Sequence, residues 1–442
     1  MANFAKPSAP RFSVDVYQNE FLPEGGRDVH AIVTVTATGG GSVTRGTPAD
    51  GSAAVVIMVD CSGSMEYPPE KMRGAREATA AAIDTLRDGT AFAVIAGTHV
   101  AKEVYPGRGR LAVADPATRA QAKEALRSLT AGGGTAIGTW LRLADGLLRG
   151  STAAIRHGIL LTDGRNEHEE PAVLRATLDA CAGRFTCDAR GVGTDWEVKE
   201  VTGIAGALLG SADIVADPAH LAEDFTRMME KVMGKEVADV SLRLWTPVGA
   251  EIQYVKQVAP SVQDLTARRT DTGPRAGDYP TGSWGDESRE YHVCVRVPGA
   301  AVGQEMLASR VTLLRPRGAG GEPEAVLAQG LVRAVWTNDV AASTAINPQV
   351  AHYTGQAELA QAIQQGLEAR KLGDVDGATA KLGRAVQLAS ASGNADTARL
   401  LSKVVDVVDA VAGTVRLKAK VADADEMTLE TRSTQTVRVK KS

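Results

Sequence analysis

Aromatic residues are scarce in this chain, 4% of 442 positions, which argues against the stacking platforms that hold single-stranded nucleic acid. A formal net charge of −4 argues against nucleic acid or an anionic membrane held by bulk electrostatics. No apolar run approaches the ~20 residues of a membrane span. The opening "MANFAKPSAPRFSV" has neither the apolar h-region nor the small-residue cleavage pattern of a secretory signal. Cys61, Cys181, Cys187 and Cys294 are scattered without zinc spacing. The run "CAGRFTC" reads as a helix end followed by a strand, so reduced core thiols are favoured over a disulfide. There is no G-x-S-x-G elbow and no G-K-[ST] phosphate loop. His99 and His157 stand alone and read as structural. These absences point to a cytoplasmic, non-enzymatic protein.

With 44% hydrophobic and 23% charged residues, the chain is globular and long enough for two or three domains. "RFSVDVY" and "HAIVTVTA" alternate apolar and polar residues at period two and read as half-buried strands in residues 1–51. The Gly/Ser/Thr-rich connection "ATGGGSVTRGTPADGS" follows. Over 52–234, continuous apolar runs such as "AVVIMVD", "TAFAVIAG" and "GILLTD" alternate with amphipathic helices. One of these helices starts at Asp115–Pro116, an N-cap followed by proline in the first helical position. That alternation predicts a doubly wound, mostly parallel α/β sheet. Period-two runs return over 235–340 and match the N-terminal strands in kind. The parallel α/β domain is therefore expected to be inserted in an antiparallel β-sandwich built from both flanks. Residues 351–413 read as three helices divided at "LGDVDG" and "SGNAD", a small bundle, and 414–442 as an extended tail.

Oxygen ligands gather at three places in the α/β segment. Asp60, Ser62 and Ser64 follow the first strand, Thr135 lies in the Gly-rich loop "AGGGTAIG", and Asp163 ends "GILLTD". Ligands of open parallel sheets bind beyond the carboxyl ends of the strands, where Asp60 and Asp163 are expected to meet. An all-oxygen set with few carboxylates suits Mg²⁺, which retains several waters; Mn²⁺ or Ca²⁺ are the alternatives. The acids of "TDGRNEHEEP" read as a solvated helix start. Thr428, Thr431, Ser433, Thr434 and Thr436 make the tail a candidate phosphothreonine peptide for an arginine-bearing reader.

"DCSGS", "GGGT" and "LLTDG" together resemble the metal-ion-dependent adhesion site of the von Willebrand factor type A family, in its intracellular bacterial form. The resemblance covers roughly residues 52–234. It implies a Rossmann-like fold in which Ser62, Ser64 and Thr135 touch the metal while Asp60 and Asp163 hold waters. It further implies a protein partner whose Asp or Glu completes the coordination. Two alternatives remain: an adaptor delivering substrates to a AAA-type ATPase and, remotely, a metal-dependent hydrolase.

Overall fold

Strands covered on both faces need apolar residues at every position, and the Ala53–Asp60 strand meets that need, with Ala54 to Asp60 all buried. The computed structural model describes residues 10–39, 53–316 and 323–439. The Gly/Ser/Thr-rich connection lies almost wholly outside the described residues. Two compact units are present. The first holds residues 53–238 with Gly282–Gly285, and the second holds the remaining described residues.

In the first unit the strands run in the order Ala212–Val215, Thr186–Val192, Ile155–Thr162, Ala53–Asp60, Ala91–Gly97 and Ala101–Tyr105. All neighbours are parallel except the last pair, which forms an antiparallel edge. The helices Glu70–Thr85 and Leu221–Met233 bury Met72, Ala75, Phe225 and Met229 in one core with Val55, Ile57 and Val59. Asp115 caps Pro116–Ala125 as expected, accepting from the Thr118 amide at 2.7 Å. All four cysteines are free and buried. No described helix is long and apolar enough to cross a membrane.

The second unit contains two largely antiparallel sheets. One has the order Arg11–Gln18, Asp28–Thr38, Glu287–Arg296, Glu251–Ala259, Gln263–Asp264. The other runs Thr270–Gly273, Ala276–Trp284, Val237–Trp245, Glu305–Arg315, Ala325–Trp336, Phe21–Leu22. Asp28–Thr38 pairs along its length with Glu287–Arg296, so strands from both flanks of the α/β segment share one sheet, the inserted arrangement expected. Helices Pro348–Lys371, Val375–Ser392 and Ala395–Val404 follow. They divide at Gly373 and Gly393, both at positive φ, with Asp374 and Asn394 as caps.

Two readings are corrected: residues 405–413 are not helical, and 414–439 is not an extended tail. Val405–Asp409 and Thr414–Leu417 form a hairpin, and Asp423–Arg432 is a helix whose Leu429 is fully buried in a core with Leu401 and Val415. Thr431 and Ser433 are buried, and Thr436 donates to the Val258 carbonyl at 2.7 Å. Among the described residues, Thr431, Ser433 and Thr436 are engaged in the fold instead of being held out to a phosphothreonine reader. The helix escaped the sequence pattern because a single leucine anchors it, too few apolar residues to show a period.

Close packing makes one glycine testable. A Cβ at Gly97 would lie 2.3 Å from the ring of Trp140, itself fully buried. Gly97→Ala is expected to cost about 2 kcal/mol or more in chemical denaturation. Gly146→Ala, with nothing near its Cβ in helix Ile137–Arg149, is expected to be neutral or stabilising by up to ~1 kcal/mol.

Candidate metal centre

Parallel neighbours place the ends of Ala53–Asp60 and Ile155–Thr162 side by side, which brings the next residue, Asp163, to Asp60. Both carboxylates are completely buried. Asp60 Oδ1 accepts from the Ser62 amide at 2.8 Å, and Oδ2 accepts from the Thr162 hydroxyl at 2.6 Å. This pinning fixes the turn that follows. The Gly63 amide donates to the Gly133 carbonyl at 2.9 Å and the Gly132 amide to the Cys61 carbonyl at 2.8 Å. The serine turn and the Gly-rich loop are thereby stitched together. Gly133 sits at φ +82°, and a Cβ there would meet His99, so that approach requires glycine.

The stitching brings all five expected residues to one place. Ser62 Oγ and Ser64 Oγ are 2.9 Å apart, and Ser64 Oγ donates to Asp163 Oδ1 at 2.7 Å. A Cβ built on Gly164 would lie 3.1 Å from Ser64 Oγ, 3.3 Å from Thr135 Oγ1 and 3.8 Å from Ser62 Oγ. Three hydroxyls therefore converge on the empty side of one glycine. Octahedral Mg²⁺, with bonds near 2.1 Å, needs ligand oxygens about 3.0 Å apart at 90°, and the Ser62–Ser64 separation meets that. Among the described residues no three His, Cys, Asp or Glu side chains converge as a metal site. The donor set here is hydroxyls with carboxylates, which fits a hard cation.

Burial raises Asp60 to about 6, and the Asp163 charge adds to it, against the hydrogen bonds from Ser62 and Thr162. Two close buried carboxylates need positive charge, and part of it comes from a residue that sequence reasoning missed. Lys71, on helix Glu70–Thr85, is buried and places Nζ 2.8 Å from Asp163 Oδ2 and 2.9 Å from Asp195 Oδ2. Burial pulls its ammonium down, but the bonds to Asp163 and Asp195 outweigh that and hold it above the usual lysine value. Asp163 thus has a hydroxyl on one oxygen and an ammonium on the other. Cys61 is buried behind this turn, and burial with the Asp60 charge raises its thiol to about 12, so it stays protonated.

The acidic stretch after Asp163 is corrected in part. Asn166 Oδ1 accepts from the Ile137 amide at 2.7 Å, and Glu169 Oε2 from the Gly138 amide at 2.8 Å. His168 Nδ1 accepts from the Thr135 amide at 3.2 Å. These side chains cap helix Ile137–Arg149 from another loop and hold Thr135, while Glu167 and Glu170 are exposed at the start of helix Pro171–Cys181, as expected. Helix Ile137–Arg149 has no cap of its own, since Ala136 precedes it. That missing local cap was the one available signal. His157 is structural, bonded to Thr186 at 2.7 Å and Asp188 at 2.9 Å.

Comparison with known proteins places the fold. Residues 53–214 match the von Willebrand factor type A domain, and residues 387–433 match the von Willebrand factor type A C-terminal domain. The solved structure of a von Willebrand factor type A protein from Catenulispora acidiphila is 53% identical. The match covers 98% of this chain and 99% of that one, with a TM-score of 0.92. The ArnB paralog VWA2 from Sulfolobus acidocaldarius, 16% identical with a TM-score of 0.57 over 95% and 97% of the two chains, shares the fold. An uncharacterized Synechocystis protein is 30% identical over 217 residues, 48% of this chain. The chain spans about half the length of that curated relative.

Removing one member of a buried ion pair leaves the other uncompensated. In EDTA, Lys71→Met is expected to lower stability by about 3 kcal/mol. Millimolar Mg²⁺ should restore much of that loss by binding the folded state. Denaturation curves with and without Mg²⁺ check this; a variant as stable as wild type in EDTA would contradict the role given to Lys71.

Proposed function

Since the chain belongs to the von Willebrand factor type A family, a family of protein-interaction modules, we propose that it binds a protein partner through a divalent cation. The cation is Mg²⁺ (Mn²⁺ in its place), held by Ser62, Ser64 and Thr135 with Asp60 and Asp163 behind them. The observation that carries this reading is the convergence of three hydroxyls and the Asp163 carboxylate beside Gly164.

When bound, the metal supplies an open coordination position for a carboxylate oxygen. The chain's own residues do the rest. Asp60, tied by Ser62 and Thr162, keeps the serine turn in one conformation, so little ordering remains to oppose binding. Thr135 is presented by a loop that Asn166, His168 and Glu169 hold from behind. Lys71 adds a positive charge beside Asp163, leaving less negative charge to repel an acidic partner. A partner Asp or Glu is the group such a site favours.

Binding is favoured over hydrolysis because the nearby basic groups are already engaged. The Nδ1 of His168 and a carboxylate oxygen of Glu169 accept backbone amides, so neither is presented as a general base to a reacting water. Delivery of a captured protein to a AAA-type ATPase would be a narrower version of the same reading.

The test uses the full chain as bait against extract of its host in Mg²⁺, in EDTA, and as Asp60→Ala in Mg²⁺. The expected result is a partner captured only by wild type in Mg²⁺, with circular dichroism showing the variant folded. Equal capture in all three arms would contradict the proposal.

A further inference from the structure

A second cluster of donors lies in the β-sandwich unit, and its chemistry is the opposite of the oxygen site. On the sheet containing Asp28–Thr38, Glu287–Arg296 and Glu251–Ala259, His30, Cys294 and Tyr254 are register partners across three strands. His292 lies two residues along from Cys294, so its side chain is on the same face. His30 Nδ1 is 3.1 Å from Tyr254 Oη and 3.2 Å from His292 Nε2, and Tyr254 Oη is 3.2 Å from His292 Nε2. Three polar atoms thus form a nearly equilateral triangle.

Hydrogen bonds account for at most two edges of that triangle. A ring nitrogen carries either one in-plane lone pair or one hydrogen, so each can serve a single partner. Both nitrogens can bond the phenol, or they can bond each other. In neither case are all three edges hydrogen bonds. With both nitrogens bonded to the phenol, the third edge still holds the two imidazole nitrogens 3.2 Å apart with no bond between them, so all three atoms face one point. Metal bonds of about 2.0–2.1 Å at angles between 90° and 109° place neighbouring ligands about 2.9–3.4 Å apart, the range of all three edges.

We infer that His30 Nδ1, His292 Nε2 and Tyr254 Oη form one face of a binding site for a borderline first-row divalent ion of the Zn²⁺/Cu²⁺ class, with water completing the coordination. The donor types select the metal. Imidazoles suit Zn²⁺ and Cu²⁺, whereas Mg²⁺ and Ca²⁺ prefer an all-oxygen set. Local charge points the same way. Asp28 on this face is paired with Arg296 at 2.8 Å, and Lys256 Nζ lies 5.0 Å from the centre of the Tyr254 ring. The carboxylates described on this face, Asp28 and Glu290, are each paired with an arginine, so affinity must come from the nitrogen ligands. His292 is buried, while His30 and Tyr254 are partly exposed, so an ion has a route in from solvent. Burial lowers His30, and burial with His30 and Lys256 takes His292 to about 3, which leaves both rings neutral. Burial holds the Tyr254 phenol well above its usual value, so it would carry its proton until its oxygen took the metal, the proton then passing to solvent. Cys294, on the same row, is buried and hydrogen-bonded to Tyr254. This site is independent of the oxygen cluster.

Titration calorimetry and visible absorption of the EDTA-stripped full chain with Cu²⁺ test the assignment. One ion per chain is expected, with one proton released and a visible phenolate-to-Cu²⁺ charge-transfer band. Tyr254→Phe should lose that band. His30→Gln and His292→Gln should each weaken binding about tenfold or more, and Asp60→Ala should change nothing. If His292→Gln fails to fold, the partly exposed His30→Gln and Tyr254→Phe decide the matter. Binding that keeps wild-type affinity in His30→Gln, or that shows no charge-transfer band, would mark adventitious copper on other histidines and overturn the site.

Discussion

Two carboxylates with no access to water sit at the ends of adjacent parallel strands, and the geometry of the α/β unit's binding edge follows from keeping them there. Asp60 and Asp163 are each 0% exposed, a costly placement for charge unless opposing charge and donors surround it. The chain supplies them from three separate segments. Ser62 and Thr162 hold Asp60; Ser64 and Lys71 hold Asp163. Each of these contacts also orders a loop. The serine turn and helix Glu70–Thr85 are therefore set by one electrostatic requirement, and the Gly-rich loop follows the turn through its backbone bonds.

Much of this was legible in the sequence, and the reasons differ by residue. The strand bearing Asp60 announces itself because a strand buried on both faces tolerates few polar residues. Asp163 follows from the same logic applied to "GILLTD". Thr135 was readable because only a Gly-rich loop can come as close to the serine turn as Gly133 does. Lys71 was not readable. Nothing in an Ala-rich amphipathic helix distinguishes a lysine that turns inward from one in solvent. The same holds for Asn166, His168 and Glu169, whose polar pattern is that of an exposed loop although Asn166 is 7% exposed. Long-range caps leave no local trace, because their partners are some thirty residues away. The C-terminal helix Asp423–Arg432 was hidden for another reason, its dependence on one leucine.

The protein separates two kinds of donor. The first unit gathers hydroxyls and carboxylates at a strand end, with the neighbouring Cys61 held protonated by burial. The sandwich unit gathers imidazoles and a phenol across three strands. Hard and borderline cations would partition between them by ligand chemistry alone. The oxygen site suits capture of an acidic partner, since an ion there has few anionic protein ligands to satisfy its charge.

The central claim is that the Ser62, Ser64 and Thr135 hydroxyls hold a divalent cation. Crystals of the full chain soaked in Mn²⁺ and measured at the manganese absorption edge test it most directly. The account predicts an anomalous peak within bonding distance, ~2.2 Å, of those three oxygens, and no peak there in Asp60→Ala. Density for Mn²⁺ elsewhere only, or an undiminished peak in the variant, would contradict it.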